Sequence, residues 1–321
     1  MAKLLNFRSK NLSEFPDEIR GLTELTNLNL QDNQIKFIPD WVSELKNLKV
    51  IYLSNNNITD ISNICSLKEL EVLHLSKNRI TELPSSIKHL KNLKRLHLND
   101  NLLTDLADQI GELAQLNELL IANNKLKSLN KTIGQLRYLT VLNGFNNQIA
   151  NLPETIGNLE QIEYLQFSKN ELNALPKSIG KMKKMTSLEV YSNRLTKIQK
   201  GINNLESLEN FNVADNCIKE ITNIPKAVIR LSAYKNPLQK IDTGVIRKFK
   251  NELYGDYFEY LYLDKKQAEQ FKLKTSDFEK RLKIIDFDSG LIGLGDIKHI
   301  PIEFQKDYGL KLNKSNLRGS Y

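Results

Sequence analysis

One nine-residue pattern, with leucine at positions one, four and six and asparagine at position nine, recurs down most of this chain. The copy at residues 93–101 is LKRLHLNDN. Seven of the nine steps between successive asparagines are 23 residues long, one is 22 and one is 20. A fixed period of this size predicts one supersecondary unit stacked on copies of itself. The ten asparagines are Asn33, Asn56, Asn78, Asn101, Asn124, Asn147, Asn170, Asn193, Asn216 and Asn236.

Positions four and six are two residues apart, so on a strand their side chains point to the same side. In the ten copies both positions hold large apolar residues, except at Gly144 and Ala233. This column of leucines predicts the core face of a strand in every coil. Gly144 is expected to weaken its strand or to mark a bulge that lets the neighbouring Phe145 shift.

The asparagine stands where the chain must leave the strand. Its amide can donate and accept hydrogen bonds, and we expect it to do so toward the turn of its own coil and of the next coil. Buried amides stacked in this way are satisfied only as a continuous ladder. The ten asparagines are therefore predicted to form a structural ladder that favours one register.

The second half of most units has a hydrophobic residue, a proline, and then apolar residues three apart. Leu83-Pro84 followed by Ile87 and Leu90 is one example. This spacing after a proline predicts a short helical or 3₁₀ turn that begins at or near the proline. Each coil should then run through an inner strand, a turn, a short outer helix and a return.

The combined pattern LxxLxLxxNxLxxLPxxIxxLxxL resembles the 23-residue leucine-rich repeat of bacterial and intracellular proteins. The resemblance implies an α/β fold, a right-handed horseshoe solenoid with a parallel inner sheet of about 10 to 11 strands and short outer turns. It implies a solenoid at residues 1–238, in which residues 1–22 form a degenerate capping repeat with Lys10 where the asparagine is expected. Residues 239–321 are expected to form a C-terminal capping region of helices and short strands.

The family resemblance also implies a function. Such scaffolds commonly recognise a protein on the concave face of the sheet, without catalysis. Positions three, five and seven line that face, and several hold aromatic residues where a solvated surface would hold lysine or glutamate. The β-propensity of tyrosine and valine is the competing explanation. The predicted protein-binding residues are Tyr52, His74, Arg95, His97, Phe145, Tyr164, Glu189, Tyr191 and Tyr234.

The chain of 321 residues carries a net charge of +8. On the predicted inner face, however, three arginines stand against two glutamates, so the basic excess lies elsewhere. A nucleic-acid groove needs a clustered basic track, and nucleic acid is therefore not an expected partner.

Two cysteines, Cys65 and Cys217, lie in distant repeats and cannot pair in a stacked array. No apolar run approaches the roughly 18–20 residues of a membrane span. The start, MAKLLNFRSKNLSEF, does not resemble a signal peptide. We therefore expect a cytoplasmic monomer without cofactors, with export by a route that needs no signal peptide left open.

Two features of the sequence could belong to a catalytic or metal site. The segment LKIIDFDSG, with Asp286 and Asp288, resembles the nucleophile strand of haloacid-dehalogenase phosphotransferases, but only 33 residues follow Asp288. A phosphotransferase centred on these two residues is kept as an alternative. His74 and His97 should lie side by side on neighbouring strands, with no obvious third ligand for a metal. The chain is therefore not expected to be an enzyme or to hold a metal.

A further alternative is an effector-type protein of bacteria, in which the repeats target a host or partner protein and residues 239–321 act on it. Some leucine-rich repeat effectors carry a cysteine-based ubiquitin ligase. Residues 239–321 contain no cysteine, so the sequence does not support that activity.

Overall fold

The computed structural model describes residues 3–222, 224–250, 260–273 and 282–285. Its central feature is a parallel sheet of 13 strands, in which each strand pairs with the corresponding strand of the coil before it. Eleven of these strands come from the repeats, so the predicted solenoid and its parallel inner sheet are confirmed.

The strands have between two and five residues. They are β1 (Lys3–Asn6), β2 (Leu25–Asn29), β3 (Val50–Tyr52), β4 (Val72–His74), β5 (Arg95–His97), β6 (Glu118–Leu120), β7 (Val141–Asn143), β8 (Tyr164–Gln166), β9 (Ser187–Glu189), β10 (Asn210–Asn212), β11 (Glu220–Ile221), β12 (Arg230–Ser232), β13 (Lys240–Ile241), β14 (Tyr260–Asp264) and β15 (Leu282–Ile285). β11 and β13 form a separate two-stranded pair.

The outer side of the coils consists of 3₁₀ turns, as the proline spacing predicts. Pro16, Pro39, Pro84, Pro153 and Pro176 each stand immediately before such a turn, where a missing N–H group costs nothing. The turns span Asp17–Ile19, Asp40–Glu44, Ser62–Ser66, Ser85–His89, Asp108–Glu112, Lys131–Gln135, Glu154–Asn158, Lys177–Lys181 and Lys200–Asn204. Among the described residues, the α-helices are α1 (Thr243–Lys250) and α2 (Lys265–Gln270).

The asparagines form a buried ladder, which Asn101 illustrates. Its Nδ2 donates to the carbonyl of Leu98 in the same coil at 3.1 Å and to that of Leu75 in the preceding coil at 3.0 Å. Its Oδ1 accepts from the N–H of Ile80, also in the preceding coil, at 3.0 Å. The amides thus bind the preceding coil and not the next one, which corrects the direction expected from the sequence.

The residue before each ladder asparagine adopts a left-handed backbone conformation. At Asp100, for example, φ is 56° and at Lys77 it is 57°. This single reversal turns the chain at the end of the strand and lets the following amide point inward. Asparagine and aspartate tolerate this conformation better than most residues, and they occupy several of these positions.

The sheet continues beyond the last leucine-rich copy. β14 pairs in parallel with β12, and β15 pairs with β14. The buried Gln267 donates from Nε2 to the carbonyl of Ala233 at 3.2 Å and to that of Asn236 at 2.9 Å. A glutamine amide therefore binds the preceding coil where an asparagine does so in the repeats. Asp264 and Gln267 also form the capping box of α2.

Gly144 has a different role from the one expected. A Cβ at Gly144 would lie 2.4 Å from Cε1 of Phe167, which occupies the same column in the next coil. Phe167 is fully buried and fills the volume that a leucine side chain at position 144 would otherwise take. The glycine makes room for this ring in the core, and the adjacent strand keeps its regular register.

Replacing one amide of the ladder should destabilise the solenoid strongly. Asn101→Ala leaves two carbonyls and one N–H group buried without this partner, and we expect a loss of about 3 kcal/mol in the free energy of unfolding. Urea denaturation measures it. Asn92→Ala is the matched control, because Asn92 makes one exposed hydrogen bond to Lys68, and it should cost less than about 0.5 kcal/mol. Equal losses would contradict the ladder's role.

The fit between Gly144 and Phe167 can be tested by a double-mutant cycle. Gly144→Ala should cost about 1–3 kcal/mol, because the added methyl group overlaps the ring. In a Phe167→Leu background the same change should cost much less, which appears as a coupling energy in denaturation experiments. If the two changes are additive, the ring is not what requires a glycine at this position.

Candidate protein-binding surface

The concave surface is built by side chains at positions three, five and seven of the coils. The strands of the sheet are parallel and in register, so residues at the same position stand in columns that cross the sheet. Neighbouring members of a column are about 4.8 Å apart. Each column therefore brings together residues that are about 23 apart in the sequence.

Three aromatic side chains in the N-terminal half of this surface form one continuous row, which we call the histidine row: Tyr52, His74 and His97. Their positions pair directly across β3, β4 and β5. The ring centroids of Tyr52 and His74 are 4.8 Å apart with the planes at 75°. Those of His74 and His97 are 3.9 Å apart with the planes at 16°, which is a stacked arrangement. The predicted adjacency of the two histidines is confirmed.

Glu118 on β6 completes this region. Its Oε1 lies 3.3 Å from Nε2 of His97, and its Oε2 lies 3.6 Å from Nε of Arg95. Arg95 remains largely exposed, so its charge is available at the edge of the row. Glu118 is not among the protein-binding residues predicted from the sequence. Its register opposite Arg95 in the neighbouring coil is the signal that would have found it.

Both imidazoles of the row resist protonation. Burial, together with the nearby His97 and Arg95, lowers the pKa of His74 to about 4. Burial also lowers the pKa of His97, but Glu118 partly opposes this effect by favouring the protonated ring. At neutral pH the row is therefore uncharged, and its rings offer an apolar face.

The columns on either side of the histidine row differ in character. At position three Val50 and Val72 are half-buried and extend the apolar area. At position seven Ser54 and Ser76 are small and half-buried, so the surface on this side does not rise as high as the rings of the row. The result is a shallow surface with an aromatic ridge, an apolar flank and a polar flank.

The C-terminal half of the predicted surface differs from expectation. Tyr191 and Tyr234 have 0% and 1% of their surface exposed, and Phe145 has 9%. The prediction that these three rings are presented to a partner is wrong.

Large and small residues alternate in the column of these rings. Ser168 and Ala214 stand beside the three rings and are themselves fully buried. The rings of Phe145 and Tyr191 approach to 6.3 Å across the coil of Ser168, whose Oγ accepts from the N–H of Tyr191 at 3.0 Å. The ammonium group of Lys169 lies 5.3 Å from the centre of the Phe145 ring.

Two of the predicted residues in this half remain partly exposed to solvent. Tyr164 and Glu189 are both half-buried, on β8 and β9. The hydroxyl of Tyr164 lies 3.4 Å from Nε2 of Gln166. These two residues are too far along the sheet to join the histidine row, because two strands separate β8 from β5 and three separate β9 from it.

The alternative catalytic pair, Asp286 and Asp288, lies outside the described residues. Within residues 3–222, 224–250, 260–273 and 282–285, no group of three histidine, cysteine or acidic side chains is arranged to hold a metal ion. The helices in that same part of the chain include none with the length and hydropathy needed to cross a membrane.

Comparison with known families agrees with this architecture. A model described as a leucine-rich repeat region matches residues 48–144 and 121–236, and one of two leucine-rich repeats matches residues 23–68. The chain belongs to the leucine-rich repeat family.

Solved structures with the same fold come from several kinds of organism. A leucine-rich repeat protein of Leptospira interrogans aligns with a TM-score of 0.58 at 23% identity, over 88% of this chain and 95% of its own. The functional domain of InlJ from Listeria monocytogenes aligns with a TM-score of 0.65 at 20% identity, over 89% of this chain and 60% of its own. The Arabidopsis receptor kinase HAESA aligns with a TM-score of 0.66 at 22% identity, over 81% of this chain and 46% of its own.

One curated relative is similar over a short stretch. A probable inactive serine/threonine-protein kinase of Dictyostelium discoideum, roco10, is 37% identical over 59 residues. The match covers 18% of this chain and about 2% of that protein's length. At this coverage the relative indicates a shared kind of repeat and says nothing about a kinase domain.

The low pKa of His74 predicts a pH dependence of stability. The unfolded chain, in which the histidine has its ordinary pKa near 6.5, takes up the proton first as the pH falls. The contribution of His74 to stability is therefore fully present above pH 6.5 and is lost as the pH falls toward 4. The melting temperature should fall less between pH 7 and pH 5 in His74→Gln than in the wild type. Identical slopes in a thermal scan would contradict this linkage.

Proposed function

We propose that this chain is a non-catalytic scaffold that binds a protein partner through the N-terminal half of its concave surface. The observation that carries the proposal is the histidine row, a continuous aromatic ridge on the one face of the sheet that the coils leave open. Uncharged rings on a surface are costly to hydrate and gain free energy when a partner covers them.

The composition of the region supports a protein as the partner. Aromatic residues and arginine are enriched in protein interfaces and lysine is depleted. The histidine row, with Val50 and Val72 beside it, supplies an apolar centre. Arg95 supplies a charge at the rim, where it can favour one orientation of the partner.

The size of the surface is also suited to a protein. Eleven repeat strands at about 4.8 Å extend over roughly 50 Å, and the strands of the histidine row and Glu118 take up about a third of that length. An interface of standard size buries about 800 Å² on each partner. A metabolite would leave most of such a shallow surface uncovered, because small-molecule sites are concave and enclose their ligand.

The structural neighbours give general support. The structure of HAESA is of its complex with the peptide hormone IDA and the co-receptor SERK1. At 22% identity this neighbour shares the fold, and its ligands are not transferred to this chain. The proposal keeps the cytoplasmic location and monomeric state expected from the sequence.

The experiment compares single substitutions in the full-length chain. Partners are captured from the lysate of the source organism, and the affinity of a captured protein is then measured for each variant by titration. Tyr52→Ala should weaken binding at least about tenfold, as expected of a hot-spot ring. Arg95→Gln should weaken it less, by slowing association.

Tyr138→Ala is the matched control, because Tyr138 is a 56% exposed tyrosine that follows the outer turn Lys131–Gln135. It should bind like the wild type, and circular dichroism should show all variants folded. Unchanged affinity in Tyr52→Ala, or a loss confined to Tyr164→Ala, would refute the N-terminal site.

A further inference from the structure

His74 and His97 place two titratable rings face to face on the concave surface, with 3.9 Å between the ring centroids. Neutral imidazoles can stack at this distance. Two protonated ones cannot do so without strong repulsion, because each would carry a positive charge at the same separation. The stack is therefore compatible with only some protonation states of the pair.

The charged groups around the pair are unevenly distributed. From β5 Arg95 faces both rings with a positive charge, and from β6 Glu118 approaches His97 alone. From β3 the facing group is the ring of Tyr52, which meets His74 edge-on. His74 thus has two positive neighbours, once His97 is protonated, and no carboxylate.

Charged residues at the two ends of the same strands largely pair with, or lie near, residues of opposite charge. At the start of the strands, Glu71 lies 3.4 Å from the ammonium group of Lys49 and 2.7 Å from that of Lys94. Lys77 and Asp100 follow the ends of β4 and β5 and are exposed, one of each sign. Neither set offers a compensating negative charge to His74.

Because of this uneven distribution of charge, the two rings take up protons in a fixed order. The first proton goes to His97, where Glu118 stabilises the imidazolium ion. The second goes to His74, against the charge of His97 in the stack and that of Arg95 at the edge. Only this second step makes the stacked geometry unfavourable.

We propose that the stacked pair is an acid-sensitive switch, in which the second proton drives the ring of His74 away from His97 and from its edge contact with Tyr52. The change alters the aromatic ridge of the histidine row while the coils stay folded. The proposal depends on the proposed function only for its consequence, the loss of a partner in acid.

The fold beneath the switch is held mainly by groups that do not titrate. Leu73 and Leu96, which flank the two histidines on the opposite face of β4 and β5, are fully buried. The amides of Asn78 and Asn101 hold the same two coils and do not titrate. A side chain on the concave surface can therefore change its rotamer without disturbing the register.

The test follows the rings themselves in the full-length chain by NMR, with labelled histidine and tyrosine, from pH 7.5 to pH 3.5. We expect His97 to titrate at a higher pH than His74, whose midpoint should lie near pH 4. The ring signals of Tyr52 should shift together with His74. His89, exposed on an outer turn, is the reference histidine in the same spectra.

Two variants separate the switch from ordinary titration. Glu118→Gln should move the midpoint of His97 to lower pH, because the ring loses its carboxylate. His97→Phe keeps an aromatic ring in the stack but removes one of the two charges, so the signals of Tyr52 should shift much less than in the wild type when His74 titrates.

An equal shift of Tyr52 in His97→Phe and in the wild type would overturn the switch. So would the loss of the far-UV circular dichroism signal before Tyr52 moves, because the response would then be unfolding. The test needs no partner. Its failure leaves the binding proposal intact, and failure of the Tyr52→Ala binding experiment leaves the switch intact.

Discussion

The buried asparagine amide is the interaction on which the whole structure depends. Each amide donates from Nδ2 and accepts at Oδ1, and it divides these bonds between its own coil and the coil before it. A buried amide without such partners would cost several times what a surface substitution costs, so the ladder tolerates only one register. That register has a second effect, since it aligns the outward positions of all coils into columns. The stack of His74 on His97 is therefore a consequence of Asn78 and Asn101 beneath it.

The sequence predicts this framework well because the framework is periodic. Leucine spacing, the asparagines and the prolines before the outer turns all report the same unit, and each copy supports the interpretation of the others. The pairing of His74 with His97 could be predicted for the same reason. The exposed fraction of a side chain on the concave surface could not be predicted. Position seven places Tyr191 on the concave side, but its full burial depends on the side chains packed around it, which the repeat pattern does not specify.

The two irregular positions show where pattern matching fails. Gly144 breaks the leucine column, and its meaning becomes clear only beside Phe167, one coil further on. At the other end, the repeat is lost from the sequence after Leu238, yet the sheet continues into β14. There Gln267 stands four residues after Leu263, whereas Asn101 stands three residues after Leu98. The longer glutamine side chain spans the additional residue and reaches the carbonyl of Ala233, the counterpart of Leu75 in the ladder, and that of Asn236. The preceding coil is thus bound by an amide that the nine-residue pattern does not include.

The contact between Phe145 and Tyr191 joins two coils that are not adjacent. In most solenoids each unit touches only its neighbours, so stability is close to a sum of local terms and the array can open at any interface. Here the coil of Ser168 cannot separate from one side without also disturbing the rings that meet above it. These three coils should consequently open as one cooperative unit, with slow amide hydrogen exchange across all of them.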